Sequence, residues 1–196
     1  MLNKVELVGT VSKDAEFLFT TKSGNDKYQF YLSCQRNSGT LDILPIITYT
    51  DEFKEGDRVK IEGIYTSFNK QEENKNKLKL AVRANKIEQL VLPLDDQNDI
   101  KLEGIICKKP ILRTTPFGRV IADVLIAVNR NGYNYSDYIP IIFWGKCAEE
   151  AEKLEIGDCI RLEGRVQSRP YIKEDVEHVA YEVSASSLEI LENIEK

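Results

Sequence analysis

Apolar and polar residues alternate along this chain in short runs separated by turn residues. Val5-Glu6-Leu7-Val8 opens one run, Tyr28–Ser33 is rich in aromatic and apolar residues, and Leu41–Tyr49 is largely β-branched and aromatic. Val59-Lys60-Ile61-Glu62 and Leu78-Lys79-Leu80-Ala81-Val82 place apolar side chains at every second position. A period of two is that of a half-buried strand. Ser23-Gly24-Asn25-Asp26, Asn37-Ser38-Gly39 and Glu55-Gly56-Asp57 supply the turns between runs. The pattern predicts about five strands in the first half of the chain.

The second half repeats the first. Gly157-Asp158-Cys159-Ile160-Arg161-Leu162-Glu163-Gly164 mirrors Gly56-Asp57-Arg58-Val59-Lys60-Ile61-Glu62-Gly63, 101 positions earlier. Tyr28–Asn37 aligns with Ala122–Asn131 at an offset of 94, and Pro45-Ile46-Ile47 with Pro140-Ile141-Ile142 at 95. Order and offset hold through several blocks, which marks an internal duplication. The growth in offset places an insertion within Gly145–Ile156. There Lys146–Leu154 has helical spacing, with Cys147, Ala151 and Leu154 on one face and acidic residues on the other. In the first copy Thr48–Glu55 is too short for much helix and is predicted to be a turn. The glycines closing Ile61-Glu62-Gly63 and Leu162-Glu163-Gly164 predict bulges or barrel corners.

Five strands with a helix between the third and fourth is the order of the OB-fold, a small Greek-key barrel. The expected fold is therefore all-β, two tandem five-stranded OB-fold barrels, the second with a short α-helix between strands three and four. The expected boundaries are 1–92 for the first barrel, 93–98 for a linker, 99–191 for the second barrel and 192–196 for a C-terminal tail.

Composition narrows the function. Of 196 residues 42% are hydrophobic and 30% charged, ordinary for a globular chain. No apolar run approaches the ~20 residues that span a bilayer. The N-terminus has no signal-peptide core. Together these predict no membrane partner and a cytoplasmic, nucleoid-associated protein. The net charge is −5, which counts mildly against a nucleic-acid partner unless cations cluster on one face. Cys34, Cys107, Cys147 and Cys159 have no metal-ligand spacing, and His178 stands alone. No cofactor or metal is expected. No catalytic constellation or phosphate loop stands out, so the expectation is a binding protein and not an enzyme.

In the second copy aromatics and cations cluster around candidate strands two to four. Tyr133, Tyr135 and Tyr138 surround one turn, and Trp144 ends the third strand. Arg165, Arg169 and Tyr171 follow the fourth, with Arg113, Arg119 and Arg130 in the same unit. Base stacking on aromatics beside a basic path is how OB-folds hold single strands. The alternative on composition alone is that the tyrosines pack against the barrel or form an oligomer contact.

Residues 99–191 also resemble the bacterial single-stranded DNA-binding protein (SSB) family. The segments that carry the likeness are Ile121–Arg130, Tyr138–Glu149 with its Trp144-Gly145-Lys146, and Gly157–Tyr171. Asn3–Gly9 resembles the family's opening strand. The resemblance implies stacking by Tyr133, Tyr138, Trp144 and Tyr171, and phosphate contacts at or beside Arg130, Lys146, Arg165 and Arg169. It further implies non-catalytic single-stranded DNA binding in replication, recombination or repair. Chains with two barrels form dimers in that family, so a homodimer with four barrels is expected. The first copy departs from the pattern: Ile43 stands where Tyr138 does, Tyr49 where Trp144 does, and Ser67-Phe68-Asn69 replaces Arg-Pro-Tyr. Arg36, Tyr49 and Phe68 leave a weaker version of the surface, flanked by the charged loop Asn69–Lys77. Many family members end in a flexible linker with an acidic tip that recruits replication or repair proteins, a pattern that Leu188–Lys196 does not match. The competing reading is a primosome-type or recombination accessory protein that acts mainly through protein–protein contacts.

Overall fold

The computed structural model describes residues 1–72, 75–92, 94–130, 132 and 135–191, with side chains for all of these except 69–72, 75–77 and 173. The first half forms β1 (Asn3–Thr20), β2 (Asp26–Gln35), β3 (Leu41–Thr48), β4 (Arg58–Glu72) and β5 (Lys75–Gln89). The second forms β6 (Gln97–Ile106), β7 (Ile111–Thr114), β8 (Val120–Asn129) and β9 (Ser136–Trp144). It continues with α1 (Lys146–Ala151), β10 (Cys159–Lys173) and β11 (Val176–Leu191). The chain is all-β with one short helix among the described residues. That helix is too short to cross a membrane.

Strand pairing closes each half on itself. β1 pairs with β2 and β4, β2 with β3, β4 with β5, and β3 with β5 in parallel. In the second half β6 pairs with β8 and β10, β8 with β9, β10 with β11, and β9 with β11 in parallel. The result is a closed five-strand barrel consistent with an OB-fold. Side chains at alternate positions fill it: Val5, Leu7, Phe30, Leu32, Ile61 and Val82 in one half, Leu102, Val124, Ile126, Ile141, Leu162 and Val183 in the other. The halves are joined edge to edge by antiparallel pairing of β1 with β6, from Asn3–Leu102 to Val8–Gln97. One continuous sheet results.

Strands run longer than the alternation predicts. β4–β5 and β10–β11 extend as hairpins beyond the residues that pair with the neighbouring strands. The opening strand of the first half is continuous as β1, whereas that of the second is broken between β6 and β7 at Cys107–Pro110. Pro110 has no N–H to give a ladder there. The helix is shorter than expected and buries Ala148 and Ala151, followed by Leu154; Cys147 is only partly buried. In the first half no helix forms at 49–57. Phe53 plugs that barrel end instead, its ring 5.5 Å from that of Phe30.

The repeated octapeptide has a structural cause. Its first glycine turns the chain into the strand with positive φ, +93° at Gly56 and +100° at Gly157. Its last sits at a bulge, between Glu62 and Gly63 in β4 and between Glu163 and Gly164 in β10. A Cβ on Gly164 would collide with the Ser184 carbonyl oxygen and lie 2.8 Å from Ala185 Cα. Backbone cannot move aside as a side chain can. Gly164→Ala is therefore expected to cost about 1–3 kcal/mol, the usual cost of overpacking, read from urea unfolding. An unchanged midpoint would show that the bulge relaxes.

Candidate nucleic-acid interface

β10 builds one side of the site. Beyond its bulge, alternate residues Arg165, Gln167, Arg169 and Tyr171 share a face, as strand geometry requires. They are linked in a ladder. Arg165 Nη2 donates to Gln167 Oε1 at 3.2 Å, and Gln167 Nε2 donates to Glu182 Oε1 at 2.7 Å. Arg169 Nε donates to the same Glu182 oxygen at 3.2 Å. Tyr171, 39% exposed, stacks on His178 across the hairpin, with centroids 5.3 Å apart and planes 27° from parallel. Trp144 is partly buried at the end of β9, and its Nε1–H donates to Ser184 Oγ at 3.0 Å. That bond fixes the plane of the indole. Tyr138, at the start of β9, is 47% exposed.

Trp144, Arg119, Arg165 and Arg169 open onto a cleft of about 1050 Å³ between the halves, whose far wall includes Arg36, Asn37, Ser38 and Thr40. Arg165 Nε is buried without a hydrogen-bond partner. Burial, and then the charge of Arg36 facing it, hold the Arg165 guanidinium below its ordinary pKa. Asp42, Asp96 and Asp99 also line the cleft, and two of them are ion-paired. Asp42 pairs with Arg36, and Asp96 with Arg58 at 2.5 Å. The cleft therefore offers cationic groups to an anion despite the chain's net negative charge. Arg119, in the β7–β8 turn, and Lys146, at the start of α1, are both exposed.

Other expected site residues lie elsewhere. Arg113 pairs with Asp123 on the neighbouring strand, outside the cleft. Tyr133 lies outside the described residues, as do the tail 192–196 and the side chains of Lys70, Lys75 and Lys77. Arg36 and Arg130 do not extend freely toward a phosphate. Arg130 donates to both oxygens of Asp137, at 3.0 Å and 2.6 Å, and to the Ser67 carbonyl at 2.6 Å. Arg36 donates to both oxygens of Asp42, at 2.7 Å and 2.6 Å. Asp42 and Asp137 are 0% and 1% exposed, and a buried carboxylate requires such a partner. Burial alone would raise the Asp137 pKa, but Arg130, the Ser67 amide and the Thr66 hydroxyl outweigh it and hold the carboxyl below its ordinary value.

Tyr49 is exposed, with the Lys27 ammonium 3.0 Å from its ring centroid. That cation lowers the phenol's pKa. Phe68 is partly buried in β4 beside Lys79 of β5. The first half thus has an aromatic at the Trp144 position, already engaged by a lysine. Sequence reasoning missed Asp42 and Asp137, Ser67 and Ser168, and Ser184. The one available signal was an acidic residue at the same place in both copies, three residues before the repeated Pro-Ile-Ile.

A closed strand barrel with aromatic and arginine side chains along one strand face beside a cleft is the architecture of the OB-fold class. Residues 97–191 match the Single-strand binding protein family. The chain belongs to that family. Among relatives, it is 31% identical over 102 residues to single-stranded DNA-binding protein 2 of Streptococcus agalactiae, covering 49% of this chain and 78% of that one. It is 35% identical to the single-stranded DNA-binding protein of Clostridium tetani, covering 48% and 70%. With single-stranded DNA-binding protein 2 of Listeria monocytogenes it shares 39% identity, covering 48% of this chain and 64% of that relative. The fold of the wild-type single-stranded DNA binding protein from Thermus aquaticus is similar over 97% of this chain and 93% of that one. There the TM-score is 0.75 and the identity 22%.

Proposed function

We propose that this chain is two OB-folds in tandem and binds single-stranded DNA without catalysis, in replication, recombination or repair. The observation that carries this reading is the β10 ladder Arg165–Gln167–Arg169–Tyr171, whose first three members line the cleft together with Trp144. Bases stack on Trp144, Tyr138 and Tyr171. Phosphates meet Arg119, Lys146, Arg165 and Arg169. Arg36 and Arg130 serve the fold instead, and Tyr49 and Phe68 give the first half a weaker face. Two chains assemble as a homodimer with four barrels, which a mass measurement in solution checks.

The test is a titration with poly(dT), following emission of Trp144, the sole tryptophan. Saturable quenching is expected, and the affinity should fall steeply between low and moderate salt as phosphate counterions are released. A folded protein whose emission does not change would overturn the proposal.

A further inference from the structure

We infer that the first half is an intramolecular brace that sets the geometry of the second half's binding face, with Ser67 and Asp42 as its positioning residues. The inference rests on the strand-binding reading above and assigns the first half a role that its own depleted aromatic surface does not explain.

Two stretches of the second half's binding face lie on strand edges that the second half itself leaves unpaired. β9 pairs with β11 only at Ile141 and Ile142, so its earlier part, which carries Tyr138, has one bare edge. β10 pairs with β6 only as far as Gly164, so the segment carrying Arg169 and Tyr171 also has one. An exposed backbone N–H on such an edge needs a partner to hold its strand in one place.

The first half supplies both. Ser67 Oγ accepts the Tyr138 N–H at 3.0 Å. Ser67 is itself fixed, because its N–H donates to Asp137 Oδ1 at 2.6 Å and the Thr66 hydroxyl donates to the same oxygen at 2.8 Å. At the other edge Asp42 Oδ1 accepts the Ser168 N–H at 2.8 Å, and Ser168 Oγ accepts the Ile43 N–H at 2.9 Å. Ser168 directly precedes Arg169. Ser67 and Asp42 are 5% and 0% exposed, so water does not compete for these bonds.

Comparison of the two copies points the same way. The first copy lacks counterparts of Tyr138 and of Arg169-Pro170-Tyr171, yet it has Arg36, Asp42 and Ser67 where the second has Arg130, Asp137 and Ser168. Its bracing residues are all present, whereas of the stacking positions only that of Trp144 keeps an aromatic, Tyr49.

The experiment is a double-mutant cycle on the full chain, reading affinity for a fluorescein-labelled oligo(dT) by anisotropy. Ser67→Ala removes the acceptor of the Tyr138 N–H, and with it the longer bond of the Ser67 hydroxyl to Asp137 Oδ1 at 3.3 Å, and leaves the Ser67 N–H bond to Asp137 in place. It should weaken binding about three- to tenfold, the effect of one buried hydrogen bond. In a Tyr138→Ala background it should change nothing, because the ring it positions is gone. The salt dependence should match wild type, since no phosphate contact is altered. A general loss of stability would instead weaken both backgrounds equally, and that result overturns the brace. So does a silent Ser67→Ala beside a weakened Tyr138→Ala, which leaves the strand-binding reading standing. A Tyr138→Ala variant that binds as wild type overturns both.

Discussion

Asp137→Ala should destabilise the protein by about 3 kcal/mol, the lower end of what removing one partner of a buried ion pair costs. The carboxylate is nearly inaccessible and accepts from Arg130, the Ser67 amide and the Thr66 hydroxyl at once. Its loss strands the Ser67 N–H and the Thr66 hydroxyl in a site closed to water. The Arg130 side chain is 32% exposed, so water recovers part of its solvation, which is why the lower end applies. The same group gives the protein an acid limit. Its folded pKa lies below the unfolded value of about 3.9. Ionisation therefore stabilises the fold fully above the unfolded pKa, and this contribution disappears as pH falls through the lower folded value. Urea midpoints of wild type and Asp137→Asn should run parallel from neutral pH to about pH 5 and converge below that. Curves that stay parallel to pH 2.5 would show that Asp137 is not the group responsible.

The second large effect concerns binding. Trp144→Ala should weaken single-strand affinity by about 1–3 kcal/mol, the range for one stacked base. Because the variant has no tryptophan, the measurement is anisotropy of a labelled oligo(dT). Trp144→Phe should fall between the two, keeping an aromatic face but losing the Nε1–H bond to Ser184 that orients it. Unchanged affinity in Trp144→Ala would move the strand's path away from this end of β9.

Parts of the site can be read from the chain because their physics is local. A strand has a period of two, so Arg165, Gln167, Arg169 and Tyr171 must share a face wherever β10 ends up. A turn with positive φ and a bulge under a crossing backbone both require glycine, so the octapeptide kept both glycines in each copy. Arg36 and Arg130 show the opposite case. In sequence they are cations beside aromatic strands, which is also what a phosphate contact looks like. Their roles depend on Asp42 and Asp137 being buried, and on residues of the opposite half closing over them.

By itself the sequence determined the strand class, the turn and bulge glycines of the repeated octapeptide and the helix in the second half, each set by spacing within a few residues. The tertiary structure alone decided the pairing of β1 with β6, the cleft between the halves and which arginines remain available to an anion. The partners that join the halves in those arrangements are 63 to 132 positions apart, as Arg130 with Ser67 and Arg36 with Ser168 show. Hydrogen bonding and burial over such separations depend on where the whole chain closes, and no local pattern encodes that.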